Sequence, residues 1–101
     1  MRVRWSPLAI ARVAEIAEYI ARDDPAAAER WVLSVFDRVK QVRDFVRSGR
    51  HIPELARRDI RELVHGNYRI IYRIERRGAS ILTVRHFKQI LPVRDIDRAW
   101  E

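Results

Sequence analysis

Apolar residues recur every third or fourth position from Leu8 to Val46, and every second position from Ile60 to Phe87. Because an α-helix turns once in 3.6 residues while strand side chains alternate between faces, that change of period predicts a helical first half and a stranded second half. Ala9, Val13, Ile16, Ala17 and Ile20 share one stripe, with Arg12, Glu15, Glu18 and Arg22 elsewhere. Ser6 is placed to cap this helix, and Pro7 suits its first turn, where a missing N–H costs nothing. The "DDP" at 23–25 ends it and opens a second helix, capped by Asp24 and running to Ser48-Gly49. Ala28, Val32, Val35, Val39, Val42 and Val46 form its seam, at alternating spacings of four and three. So short a junction returns the helices antiparallel, and the shared stripe reads as core.

"RVRW" (2–5) reads as a first strand, and "DIRELV" (59–64), "YRIIYRIE" (68–75) and "SILTVRHF" (80–87) as three more. The short glycine-containing links "HGN" and "RRGA" make these three an antiparallel meander. "RHIPEL" (50–55) reads as a connecting loop, since Pro53 cannot donate to a ladder. In the middle strand Tyr68, Ile70, Tyr72 and Ile74 share the face expected to pack on the helices. Arg69, Ile71, Arg73 and Glu75 share the other, expected to look outward. Arg69 and Arg73 then lie about 13 Å apart, with Arg61 and Arg85 on flanking strands and Lys88 just beyond. This row is either a solvated face or a binding face. The expected class is α+β: an N-terminal strand and an antiparallel helical hairpin packed on a mainly antiparallel four-stranded sheet. The expected organisation is a single domain over 1–101, divided into strand 1–5, hairpin 7–48, meander 59–87 and tail 88–101. The tail holds Ile90, Leu91, Val93, Ile96 and Trp100, too apolar to be free, so it covers a sheet edge or orders with a partner.

The formal charge of +7 is uneven. Residues 1–46 carry eight basic and seven acidic side chains, and 47–101 carry thirteen and seven, so the excess is +1 against +6. An electrostatic surface therefore belongs to the second half and suits a polyanion or an acidic protein. The chain has no cysteine, which excludes disulfides, thiolate metal clusters and thiol nucleophiles and fits a reducing, cytoplasmic setting. Its N-terminal apolar stretch is interrupted by Arg12, Glu15 and Glu18, so neither a signal peptide nor a membrane span is expected. His51, His65 and His86 lack metal-ligand spacing, and Gly49, Gly66 and Gly78 form no phosphate loop; no metal, cofactor or nucleotide is expected. His86 is a candidate general base by its ordinary pKa, against a plain structural role.

The order strand, helical hairpin, meander, together with "IRELVHGNYRIIYRI" and "ILTVRHF", resembles the RelE/ParE superfamily of bacterial type II toxins over residues 1 to about 88. "WSPLAIARVAEIAEYIARDDPAAAERWV" is similar to the start of many ParE-type toxins. The resemblance implies a small toxin neutralised by a cognate antitoxin. In the RelE branch, which cleaves ribosome-bound mRNA without a metal, cations spread over the sheet carry the chemistry. Arg69 matches one of them, while the two lysine positions fall on Ile60 and Glu62, and an arginine and a tyrosine position on Phe87 and Val93. Cleavage through the 2′-hydroxyl needs a base, an acid and cations on the phosphorane, and a glutamate there repels phosphate. The chain therefore looks more like the ParE branch, whose members poison DNA gyrase by binding. Arg61, Arg69, Arg73, Arg85 and Lys88 are then docking residues, with a structural role the alternative for Arg69 and Arg73; were it a ribonuclease, Arg69 and His86 would be the catalytic candidates. A plain nucleic-acid-binding module is a further alternative.

Overall fold

The computed structural model describes residues 2–101. Its elements are β1 (Arg2–Trp5), α1 (Pro7–Ala21), α2 (Pro25–Asp44), β2 (Arg50–His51), β3 (Ile60–His65), β4 (Tyr68–Glu75), β5 (Gly78–His86) and α3 (Val93–Asp97). Both expected caps form. Ser6 Oγ accepts from the Ala9 N–H at 3.0 Å and donates to the Leu82 carbonyl at 2.8 Å, so the cap also ties α1 to β5. Asp24 Oδ1 accepts from the Ala27 N–H at 3.1 Å.

The second helix is shorter than its seam predicts. It ends at Asp44, where Phe45 turns out of the helical region at φ −137°. Gly49 is not its stop signal. A Cβ at Gly49 would stand 2.7 Å from the Tyr72 ring, and its N–H donates to the Tyr72 hydroxyl at 2.8 Å. That hydroxyl in turn donates to the Val46 carbonyl at 2.7 Å. The glycine is required because an aromatic side chain of the sheet anchors this turn from below.

The strands form one five-stranded sheet in the order β1-β5-β4-β3-β2, one strand more than expected. The addition is Arg50–His51, within the stretch read as loop, which pairs antiparallel with Glu62 and Arg61. Two residues are too few to carry a period. β1 runs parallel to β5, and the meander is antiparallel. At that parallel junction a Cβ on Gly78 (φ +153°) would collide with the Arg2 backbone.

One face of the sheet meets the helical seam, burying Val13, Val35, Val39 and Val42 against Leu63, Ile70, Tyr72, Ile81 and Val84. The other face is not open to water, contrary to the expectation of an outward arginine row. A second core of Ile52, Ile60, Ile71, Leu82, Leu91, Ile96 and Ala99 covers it. A bulge in β5 serves both cores: Ile71 faces Thr83 while Tyr72 faces Ile81, so Leu82 is the extra residue and enters the second core. The tail therefore covers a face rather than an edge. It is fastened to the N-terminal segment by the Leu8 N–H donating to the Ala99 carbonyl at 3.1 Å and by Arg4 lying 4.7 Å from the Trp100 ring. No helix among the described residues is long and apolar enough to cross a membrane.

Candidate functional site

Pairing of β2, β3 and β4 sets Arg50 opposite Glu62, and Arg69 opposite Val64, diagonal to Glu62 on the same face. The three side chains meet. Arg69 Nε donates to Glu62 Oε1 at 2.7 Å, and Arg50 Nε to Glu62 Oε2 at 3.0 Å. Glu54, from the loop after β2, accepts both terminal nitrogens of Arg69 at 2.8 and 3.0 Å. Side-chain exposure is 6% for Arg69 and 0% for Glu62. Burial works against the Arg69 charge, but the hydrogen bonds to Glu54 and Glu62 outweigh it and raise its pKa. The hydrogen bond from Arg69 likewise lowers the pKa of Glu54, burial opposing it. Two cations and two carboxylates leave the cluster neutral, with Arg69 charged but occupied. A cavity of about 340 Å³ opens beside it, lined by Arg50, Glu54, Arg69, Phe87 and Lys88 among others.

The remaining sequence candidates are placed as follows. Arg61 is half-buried and donates to the carbonyls of Arg58, Arg47 and Gly49 at 3.3, 3.0 and 3.0 Å, so it holds the turn before β2. Arg73 pairs with Glu75 at 3.1 Å. Arg85 reaches Asp95 at 3.4 Å. Lys88 is exposed and has no ion-pair partner among the described residues. His86 stands opposite Tyr68, its ring edge-on at 5.3 Å, while Arg69 stands opposite Arg85. Since adjacent strand residues point to opposite faces, His86 lies on the helix side and Arg69 beneath the tail. The sheet separates the two residues that a ribonuclease would need together.

Sequence reasoning missed the carboxylates that complete these contacts. Glu62 stood out only as a residue in a lysine's place, Glu54 lay in a presumed loop, and Asp95 in the tail. The available signal was an acid at an inward position of β3, which has to find a cation when buried. Elsewhere, Arg76 and Arg77 at the β4–β5 turn are exposed and line a cavity of about 310 Å³ with Arg2 and Arg4. The outer helical surface exposes Ile10, Leu33 and Phe36, at 57%, 62% and 45%.

Residues 3–91 match the profile of the family described as ParE toxin of type II toxin-antitoxin system, parDE. A candidate toxin of Sinorhizobium fredii, Y4kP, is 41% identical over 93 residues, spanning 90% of this chain and 93% of its own. A chain of the chromosomal ParDE toxin–antitoxin system from P. aeruginosa shares the fold, with a TM-score of 0.73 at 20% identity, over 87% of this chain and 97% of that one.

Proposed function

We propose that the chain, which belongs to the ParE toxin family of type II toxin–antitoxin systems, arrests growth by binding DNA gyrase and not by cutting RNA. The observation that carries this reading is the state of Arg69. It is the one residue matching the ribonuclease set, and it is buried, neutralised by Glu62 and Glu54, and on the opposite face from His86. A cation stabilises a phosphorane only if its charge and donors are available to the reacting oxygens. The exposed cations suited to docking are Lys88 at the β5 exit and the arginines of the β4–β5 turn.

The antitoxin belongs to the same reading. An acidic segment that orders on binding suits the basic second half of the chain, and the exposed apolar side chains of α1 and α2 give it anchors. Coexpression of the neighbouring gene should yield a stable complex, burying on the order of 2,000 Å² or more, and should restore growth. For the target, the protein is induced in cells while gyrase-linked DNA breaks and mRNA ends at the ribosomal A site are mapped in parallel. Breaks with intact messages are expected; codon-phased cuts without breaks would establish the ribonuclease reading instead.

A further inference from the structure

The end of the sheet where β4 turns into β5 gathers a second set of arginines, and this set is not neutralised. Arg2 stands in register with Gly78, and its backbone N–H donates to the Arg77 carbonyl at 3.0 Å, which fixes the start of β1 beside the turn. Arg2, Arg4, Arg76 and Arg77 line the cavity of about 310 Å³ with Gly78 and a single acid, Glu75. That acid is occupied twice, by Arg4 at 3.1 Å and by Arg73 at 3.1 Å. Arg2, Arg76 and Arg77 are exposed and have no acidic partner among the described residues. Neighbouring acids do not reduce the excess. Asp59, whose carbonyl accepts from the Ile74 N–H, is held by Arg57, and Glu101, next to the Trp100 ring that Arg4 covers, is held by Arg98, both at 2.8 Å. On the helix side Asp37 pairs with Lys40 and Asp44 with Arg43. Five arginines against Glu75 therefore leave four positive charges in excess.

We propose that this end of the sheet is a docking surface for the phosphate backbone of duplex DNA. The chemistry of the lining selects it. Apart from Gly78 every lining residue is charged, whereas a protein partner is anchored by apolar and aromatic groups at the centre of its interface and a small ligand by mostly apolar walls. No aromatic ring lines the cavity either, so the stacking platform on which single strands are held is missing. What the surface offers is guanidinium forks, which suit phosphate oxygens. A duplex carries one negative charge per about 1.7 Å of its axis, so a short stretch can meet Arg2, Arg76 and Arg77 together. Such contacts position the protein without reading sequence. The proposal concerns free duplex and stands apart from the gyrase reading, although an enzyme that holds DNA presents the same backbone.

The test is binding of the purified chain to a short fluorescent duplex, followed by anisotropy over a range of salt concentrations. The double variant R76A/R77A removes two cations from the surface. R22A/R94A removes the same charge from the end of α1 and from α3, where neither arginine has an acidic partner among the described residues. All four side chains are exposed, so both variants should melt like the parent. Three phosphate contacts predict that log Kobs falls with log salt at a slope of about −2.7, that R76A/R77A brings the slope to about −0.9, and that R22A/R94A leaves it near the parent. Scrambling the duplex sequence should change nothing, and the corresponding single strand should bind more weakly. An unchanged slope in R76A/R77A, equal changes in the two double variants, or tighter binding of the single strand would overturn the proposal. So would binding to poly-glutamate, lost in R76A/R77A, without binding to duplex, which would identify an acidic protein partner instead.

Discussion

Arg69 and Arg85 stand directly opposite each other in β4 and β5, yet their guanidiniums live in different chemistry. Arg69 turns toward β3, where Glu62 and Glu54 hold it at 2.7–3.0 Å and Arg50 completes a neutral set. Arg85 turns toward the tail, where one carboxylate oxygen is shared with Arg12 over 3.4 and 3.8 Å and two further arginines gather. Like charges directly opposite across a ladder repel, and each arginine escapes that repulsion by leaving in its own direction. The comparison teaches that an arginine's strand position sets its face, while the carboxylates delivered by other segments decide whether it is a structural tie or an available charge.

Removing Glu62 should give the largest effect. Glu62→Ala leaves the buried Nε of Arg69 without its acceptor, while Glu54 still holds the terminal nitrogens, and should cost about 2–3 kcal/mol, measured by urea unfolding. Replacing the pair together, as E62M/R69M, should recover much of that loss, because well-packed apolar side chains replace a buried ion pair at little cost. If the double variant is less stable than E62M alone, the pair is more than a mutual neutralisation. Asp95→Asn should cost less than Glu62→Ala, roughly 1 kcal/mol, since its contacts are long and Arg85 retains 16% exposure. Equal losses at the two acids would erase the distinction between the clusters.

Acid sharpens the same contrast. The pKa of Glu54 is lowered in the folded state by the Arg69 hydrogen bond, against the effect of burial. The folded protein therefore binds fewer protons there than the unfolded chain. Stability from this contact is present above the ordinary carboxylate pKa and is lost as pH falls through the lower folded value. Glu54→Gln should flatten that acid limb of a pH–stability curve; an unchanged limb would place the coupling elsewhere. The smallest effect belongs to the surface, where Lys88→Glu should alter stability by less than about 0.5 kcal/mol while weakening target binding.

Much of this architecture is legible in the sequence. The three-four spacing of Val32, Val35, Val39 and Val42 fixes a core face, the caps at Ser6 and Asp24 are local chemistry, and alternation from Tyr68 to Glu75 correctly separates the two faces of β4. Alternation does not say what covers a face. The covering pieces here are Ile52, Leu91, Ile96 and Ala99, from short segments without a period of their own. The ion partners are equally nonlocal: Glu54 lies fifteen residues from Arg69, and Asp95 ten from Arg85. A strand of two residues, Arg50–His51, exists only because Glu62 and Arg61 offer it an edge.

The central claim, that Arg69 belongs to the fold and not to toxin chemistry, is tested most directly by removing its charge together with that of the buried Glu62, which leaves only the part-exposed Glu54 without its cation. E62M/R69M, verified as folded by its thermal transition, is expressed in parallel with the parent, and growth arrest and gyrase-linked DNA breaks are measured. Undiminished arrest with undiminished breaks is the expected result. A folded double variant that no longer arrests growth would contradict the account and return Arg69 to the functional surface.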